Sequence, residues 1–191
     1  MRRLLALAAT ALTIATTAAH AQATKADLAA VRDTSSVEPT GARLLQDTVR
    51  IKAPAAVVWK ALTDQGAYRA WAAPVSFIDF RVGGLIEVSF DPKGRPGDPS
   101  NLKQKITSYV PQRLITFQNQ PAPVGPPGHE VYPQLAIVME LKPVGGGETE
   151  VALSQVGYRD GAAFDALYGF FKAHNPEYLA DLKAYCERRP K

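Results

Sequence analysis

The sequence predicts an α+β domain, with two short helices inserted after the first strand of an antiparallel sheet and a helical C-terminus. Three observations lead there. Residues 49–71, VRIKAPAAVVWKALTDQGAYRAW, run from strand-like alternation through a proline into helical spacing. Further along, short segments alternate apolar and polar side chains between turns rich in glycine, proline and aspartate. Near the end, Phe164, Leu167, Tyr168 and Phe171 recur at i, i+3, i+4 and i+7, the mark of an amphipathic helix.

A chain of 191 residues suffices for one domain with a substantial core and leaves little room for a second. With 46% hydrophobic and 21% charged residues, its composition is globular rather than disordered. The formal charge of +4 comes from 22 Lys and Arg against 18 Asp and Glu, with no basic run and no basic stripe interleaved with aromatics. A nucleic-acid partner is therefore not expected.

Residues 1–21 read as a secretory signal. Arg2 and Arg3 form a positive start, residues 4 to about 14 an apolar middle, and Ala19-His20-Ala21 a small-x-small cleavage pattern. Cleavage after Ala21 and a periplasmic or secreted product are expected, and His20 leaves with the leader. The apolar run is short and diluted with threonine, so stable membrane insertion is not expected. Residues 22–45 read as a polar, partly mobile lead-in with a brief helix within 23–32. The domain itself is expected over 46–188.

Its first strand shows Val49 and Ile51 alternating with Arg50 and Lys52. Pro54 ends that strand and, lacking an N–H, is tolerated where a helix starts. Ala55, Val58, Trp59 and Leu62 then share one helical face. Asp64 comes next as a cap for a second short helix carrying Tyr68 and Trp71. Further strands are expected at 75–81, 85–90, 102–110, 113–117, 135–142 and 149–158, with Gly83-Gly84 and Gly145-Gly146-Gly147 as tight turns. Residues 119–133, NQPAPVGPPGHEVYP, hold five prolines and two glycines and read as an exposed loop. The C-terminal helix is expected to be interrupted at Asn175-Pro176, since a residue before proline avoids the helical region.

The run VRIKAPAAVVWKALTD, the FRVGG turn at 80–84, YVPQRLITF at 109–117 and ELKPVGGGETEVAL at 140–153 resemble the START-like superfamily, also called SRPBCC or helix-grip. The nearest resemblance is to its single-domain branch named after the activator of the heat-shock-protein ATPase, and it spans 46–188. That resemblance implies a curved antiparallel sheet, two short helices after its first strand, and a long C-terminal helix closing a cavity. It also implies a lining. Phe77, Phe90, Phe117 and Met139 lie on strands that surround the cavity in relatives, and Phe164, Tyr168 and Phe171 lie on the closing helix. Read by themselves, the same side chains are core that fills a solid interior.

Chemistry finds little support. His129 and His174 stand apart, with no Cys, His or Asp at ligand spacing, so neither a metal nor another cofactor is expected. His174 reads as lying near a helix end. Cys186 is the sole cysteine and sits on an apolar stripe, where a thiol behaves as a small hydrophobe. Gln104 and Ser108 share a face with Ile106, and Gln155 with Val151 and Leu153, as polar groups turned to the implied cavity. Asp79 reads equally as a carboxyl turned to the implied cavity and as an outer-face partner of Arg81. The function expected is binding or carriage of a small hydrophobic molecule. Two alternatives stay open: a cyclase- or hydrolase-like enzyme using His129, Glu130 or Tyr132 at the cavity mouth, and a protein-interaction module. No protein partner can be named from the sequence.

Overall fold

The computed structural model describes residues 23–89, 91–122 and 125–188. The expected leader and Phe90 lie outside them. From Thr24 a reciprocal cap with Asp27 starts a one-turn helix, α1 (Lys25–Ala29). Two short strands come after it, β1 (Arg32–Asp33) and β2 (Ser36–Val37), both antiparallel to β3 (Arg43–Ile51). The lead-in is tied to the C-terminal helix and the residue after it, before and within α1. The Ala23 N–H donates to Asp181 at 2.8 Å, and Arg188 reaches Asp27 at 2.9 Å.

On β3 the alternation extends further back than Val49. Leu45, Asp47, Val49 and Ile51 are all buried on one face. Pro54 (φ −61°) caps α2 (Ala55–Thr63), which buries Ala55, Val58, Ala61 and Leu62. Asp64 accepts the Ala67 N–H at 2.8 Å and so starts α3 (Gln65–Arg69). Just beyond it Trp71 is buried, and its indole N–H donates to the Ala61 carbonyl at 3.0 Å. That bond fixes the second helix against the first.

The remaining strands are β4 (Val75–Ile78), β5 (Leu85–Ser89), β6 (Leu102–Val110), β7 (Leu114–Asn119), β8 (Ala136–Gly145) and β9 (Glu148–Tyr158). They form one curved antiparallel sheet in the order β1-β3-β9-β8-β7-β6-β5-β4, with β2 also on β3. Its register puts Ile106, Phe117, Ile137, Gln155 and Leu45 in one row across the inner face.

Between Ile106 and Ser108 the pairing slips by one residue. This bulge inverts the facing of the rest of the strand: Ser108 turns outward, bonds Thr116 at 2.7 Å, and Tyr109 turns inward. Ser108 is therefore not on the face of Gln104 and Ile106 that plain alternation assigns it.

The C-terminal helix α4 (Ala162–Glu187) runs for 26 residues without interruption and contains Pro176. The expected break does not occur. Proline removes one backbone bond and crowds the preceding turn, but Leu167, Leu179 and Leu182 on the same helix are wholly buried. Burial of that face outweighs the local preference. His174 accordingly sits in a helix interior, its Nδ1 2.8 Å from the Phe170 carbonyl oxygen, and not near an end. Cys186 is buried among the core residues.

Candidate ligand-binding cavity

Between the inner face of the sheet and α4 lies a cavity of about 540 Å³. Its floor comes from β5 to β9: Ile86 and Val88, Leu102 and Gln104, Phe117, Ile137 and Met139, then Leu153 and Gln155. Phe170, Phe171, His174, Asn175 and Tyr178 of α4 form the roof. Tyr68 closes one side, next to Ala72 and Ala73.

The proline-rich stretch closes the mouth. It is not simply an exposed loop: residues His129–Gln134 form a 310 segment. Gly128 precedes it at φ 85°, and a Cβ there would overlap the Ala163 carbonyl oxygen of α4. Glycine is what allows the segment to press on the helix. Tyr132 is thereby buried and stacks on Phe171, ring centroids 5.9 Å apart. Gln118 Nε2 donates to the carbonyls of Pro133 and Leu135, at 2.5 and 3.1 Å, holding the segment to β7.

Of the residues singled out from sequence, Phe117, Met139, Phe171, His129 and Tyr132 meet at this cavity. Phe77 does not. It pairs with Glu87, which places it on the opposite face from Ile86 and Val88, beneath the Arg69 guanidinium at 5.5 Å. Phe164 and Tyr168 lie on α4 before Phe170, the first residue of that helix to line the cavity, and pack elsewhere. Phe164 joins a separate buried cluster with Leu45, Tyr158 and Leu167, and Tyr168 packs edge-on against Tyr158 at 5.0 Å. Glu130 is exposed and lies 3.9 Å from His129 Nδ1 on the outside. Phe90 lies outside the described residues. Asp79 and Arg81 form an exposed pair at 2.9 Å.

Several lining residues had no signal as a site in the sequence. Ile86, Val88, Ile137 and Leu153 look like any inward strand residue, and Tyr178 and Asn175 look like parts of a broken helix. Gln104 and Gln155 were legible, because alternation alone puts each on the inner face.

The polar groups on the walls are amides, phenols, one serine hydroxyl and the imidazoles of His129 and His174. Burial pushes the Tyr132 hydroxyl up to about 12, against a weak opposing hydrogen bond from Gln104. Burial likewise raises Tyr68 and Tyr178, whose hydroxyls lie 3.5 Å apart. These phenols keep their protons at neutral pH and serve as hydrogen-bond donors, not bases. Among the described residues no Asp, Glu, Lys or Arg lines the cavity. Among the same residues no group of three or more His, Cys, Asp and Glu is placed to hold a metal. No described helix is long and apolar enough to cross a membrane. What such a site does best is enclose an apolar body and orient it through a few neutral donors.

A family model described as Activator of Hsp90 ATPase homolog 1-like protein matches residues 52–187. The chain belongs to this family. Solved structures similar to it include the Aha1 dimer from Colwellia psychrerythraea, determined in solution, with 19% identity and a TM-score of 0.61 over 76% of this chain and 96% of that one. Protein MLL2253 from Mesorhizobium loti is also 19% identical, with a TM-score of 0.63 over 78% of this chain and 100% of that one. CalU16 from Micromonospora echinospora is 19% identical as well, with a TM-score of 0.59, covering 85% of this chain and 87% of that one. At such identities the likeness is one of fold: the helix-grip arrangement of curved sheet and long closing helix is shared. No curated protein matches the chain.

Proposed function

We propose that this helix-grip protein binds a small, largely apolar molecule in the cavity under α4 and carries it without chemical change. The observation that bears the weight is the cavity itself. Its volume of about 540 Å³ falls within the range of small-molecule sites, and its floor is mostly aliphatic and aromatic. Burying such a ligand's apolar surface yields about 25 cal/mol per Å², with no covalent step needed. Among the described residues the walls carry no Asp, Glu, Lys or Arg, and their three phenols keep their protons at neutral pH, which supports binding over turnover and leaves His129 and His174 as the groups an acid–base reading would have to use.

Native mass spectrometry on the protein purified gently from its own host tests this. The expected result is a reproducible mass excess of a few hundred daltons, on the scale of a ligand filling such a site. A bare mass that stays bare after incubation with a library of neutral lipids and aromatics would refute it. The leader-like N-terminus supports delivery outside the cytoplasm. Fractionation should then recover a chain beginning at Gln22, and recovery of only the full-length chain would remove that part.

A further inference from the structure

The cavity floor carries a fixed hydrogen-bond donor for which the described residues provide no acceptor. Gln155, central on β9, is 2% exposed and lines the cavity. Tyr158 donates its hydroxyl proton to Gln155 Oε1 at 2.6 Å. Burial raises the Tyr158 hydroxyl well above its ordinary range, so that proton stays in place. With its oxygen engaged, the amide cannot turn over without breaking this bond. Its Nε2 carries two N–H donors and has no hydrogen-bond partner among the described residues.

Tyr132 supplies a second donor. Its hydroxyl accepts a long bond, 3.5 Å, from Gln104 Nε2, and its own proton has no acceptor among the described residues. Tyr132 and Gln155 both line the cavity, and Tyr132 shares a buried cluster with Tyr158, the residue that holds the Gln155 amide. Donors left unmet in an apolar enclosure are costly, and a ligand that supplies an oxygen relieves them. A formally charged ligand would find no acidic or basic partner beyond His129 and His174 among the described residues of the walls.

We propose, resting on the binding reading above, that the ligand is an uncharged, mostly apolar molecule bearing a carbonyl oxygen. That oxygen accepts from Gln155 Nε2, with the Tyr132 hydroxyl as second donor and Tyr158 as the residue that positions the amide. The arrangement selects ketones, esters and similar compounds over hydrocarbons of the same shape, because only the former meet the donors.

The test compares two dyes on the full chain. Prodan is a neutral aminonaphthalene bearing an ethyl ketone, and its emission reports hydrogen bonding to the carbonyl; its propyl counterpart has CH2 in place of C=O. The ketone should bind about tenfold tighter, the effect of one well-made bond that meets a buried donor. In Gln155→Met the ratio of ketone to propyl affinity should fall severalfold, to what the Tyr132 hydroxyl alone sustains, and bound Prodan should emit at shorter wavelength than in the wild type. Tyr158→Phe should reduce the preference and leave propyl binding unchanged. Equal affinity of the wild type for both dyes overturns the donor proposal and leaves the apolar-binding reading standing. Binding of neither dye overturns that reading, and this one with it. The first comparison needs only the wild type, so a variant that fails to fold does not shield the proposal.

Discussion

Asp47 offers a sharp test of the packing on β3. It is 2% exposed, flanked by Leu45 and Val49 on the inner face, and paired across strands with Asp33. One of its oxygens, Oδ2, has no hydrogen-bond partner among the described residues. Burial above all, then the Asp33 charge, raises its pKa from 3.8 to about 6, against the partial relief of Lys172. The folded pKa lies above the unfolded one. The stability linked to this group is therefore full below about pH 4 and declines as pH rises through about 6. The shift corresponds to about 3 kcal/mol in all, of which about 2 kcal/mol falls between about pH 4.5 and pH 7.5. Asp33, held at about 2 by Ser35 and Lys172, acts in the opposite sense but only below its unfolded value, outside this window. Urea unfolding followed by circular dichroism should show Asp47→Asn gaining about 2 kcal/mol on the wild type across that interval. At a typical slope this is a midpoint difference of about 1 M. A gap between the two proteins that stays constant with pH would refute the burial of an ionising carboxyl at this position.

Three further outcomes are expected. Leu153→Phe adds volume to a residue on the cavity floor, so stability should change by less than about 1 kcal/mol while Prodan binding is lost; a cost of about 1–3 kcal/mol in thermal unfolding would mean a solid, overpacked interior. Gly128→Ala meets both a positive φ and the Ala163 carbonyl, so it should lower stability by about 1–3 kcal/mol and speed proteolysis within 119–134; unchanged cleavage kinetics would count against the clamp. Pro176→Ala restores an N–H inside a continuous helix and should stabilise by about 1–3 kcal/mol. A neutral or negative change in the denaturation midpoint would argue for two helices meeting at Asn175.

Element types were legible because they depend on neighbours in the chain. Alternation located β6 at its observed bounds, 102–110, and placed Gln104 and Gln155 facing inward. Pro54 and Asp64 marked the starts of α2 and α3 through bonds that close within one turn. The family resemblance carried by 49–64, 109–117 and 140–153 extended this to the order of elements and the closing helix. The N-terminal signal pattern is likewise a purely local reading.

Which side chains share the cavity was decided by contacts distant in sequence. Phe77 and Phe117 are equivalent aromatics on paper, yet the pairing of Phe77 with Glu87 turns one outward while Phe117 faces in. One extra residue at the β6 bulge sends Ser108 to solvent, and nothing in its own neighbourhood signals this. Pro176 should break a helix, but the buried leucines around it, packed on strands more than a hundred residues earlier, hold the helix together. The donor at Gln155 exists as a directed group only because Tyr158 takes its oxygen, and it lies in a cavity only because α4 and the 129–134 segment pack over the sheet. Local sequence sets backbone preference within a turn or two. Enclosure and hydrogen-bond polarity arise only when distant segments meet, because desolvation depends on everything packed around a group and not on its neighbours in the chain.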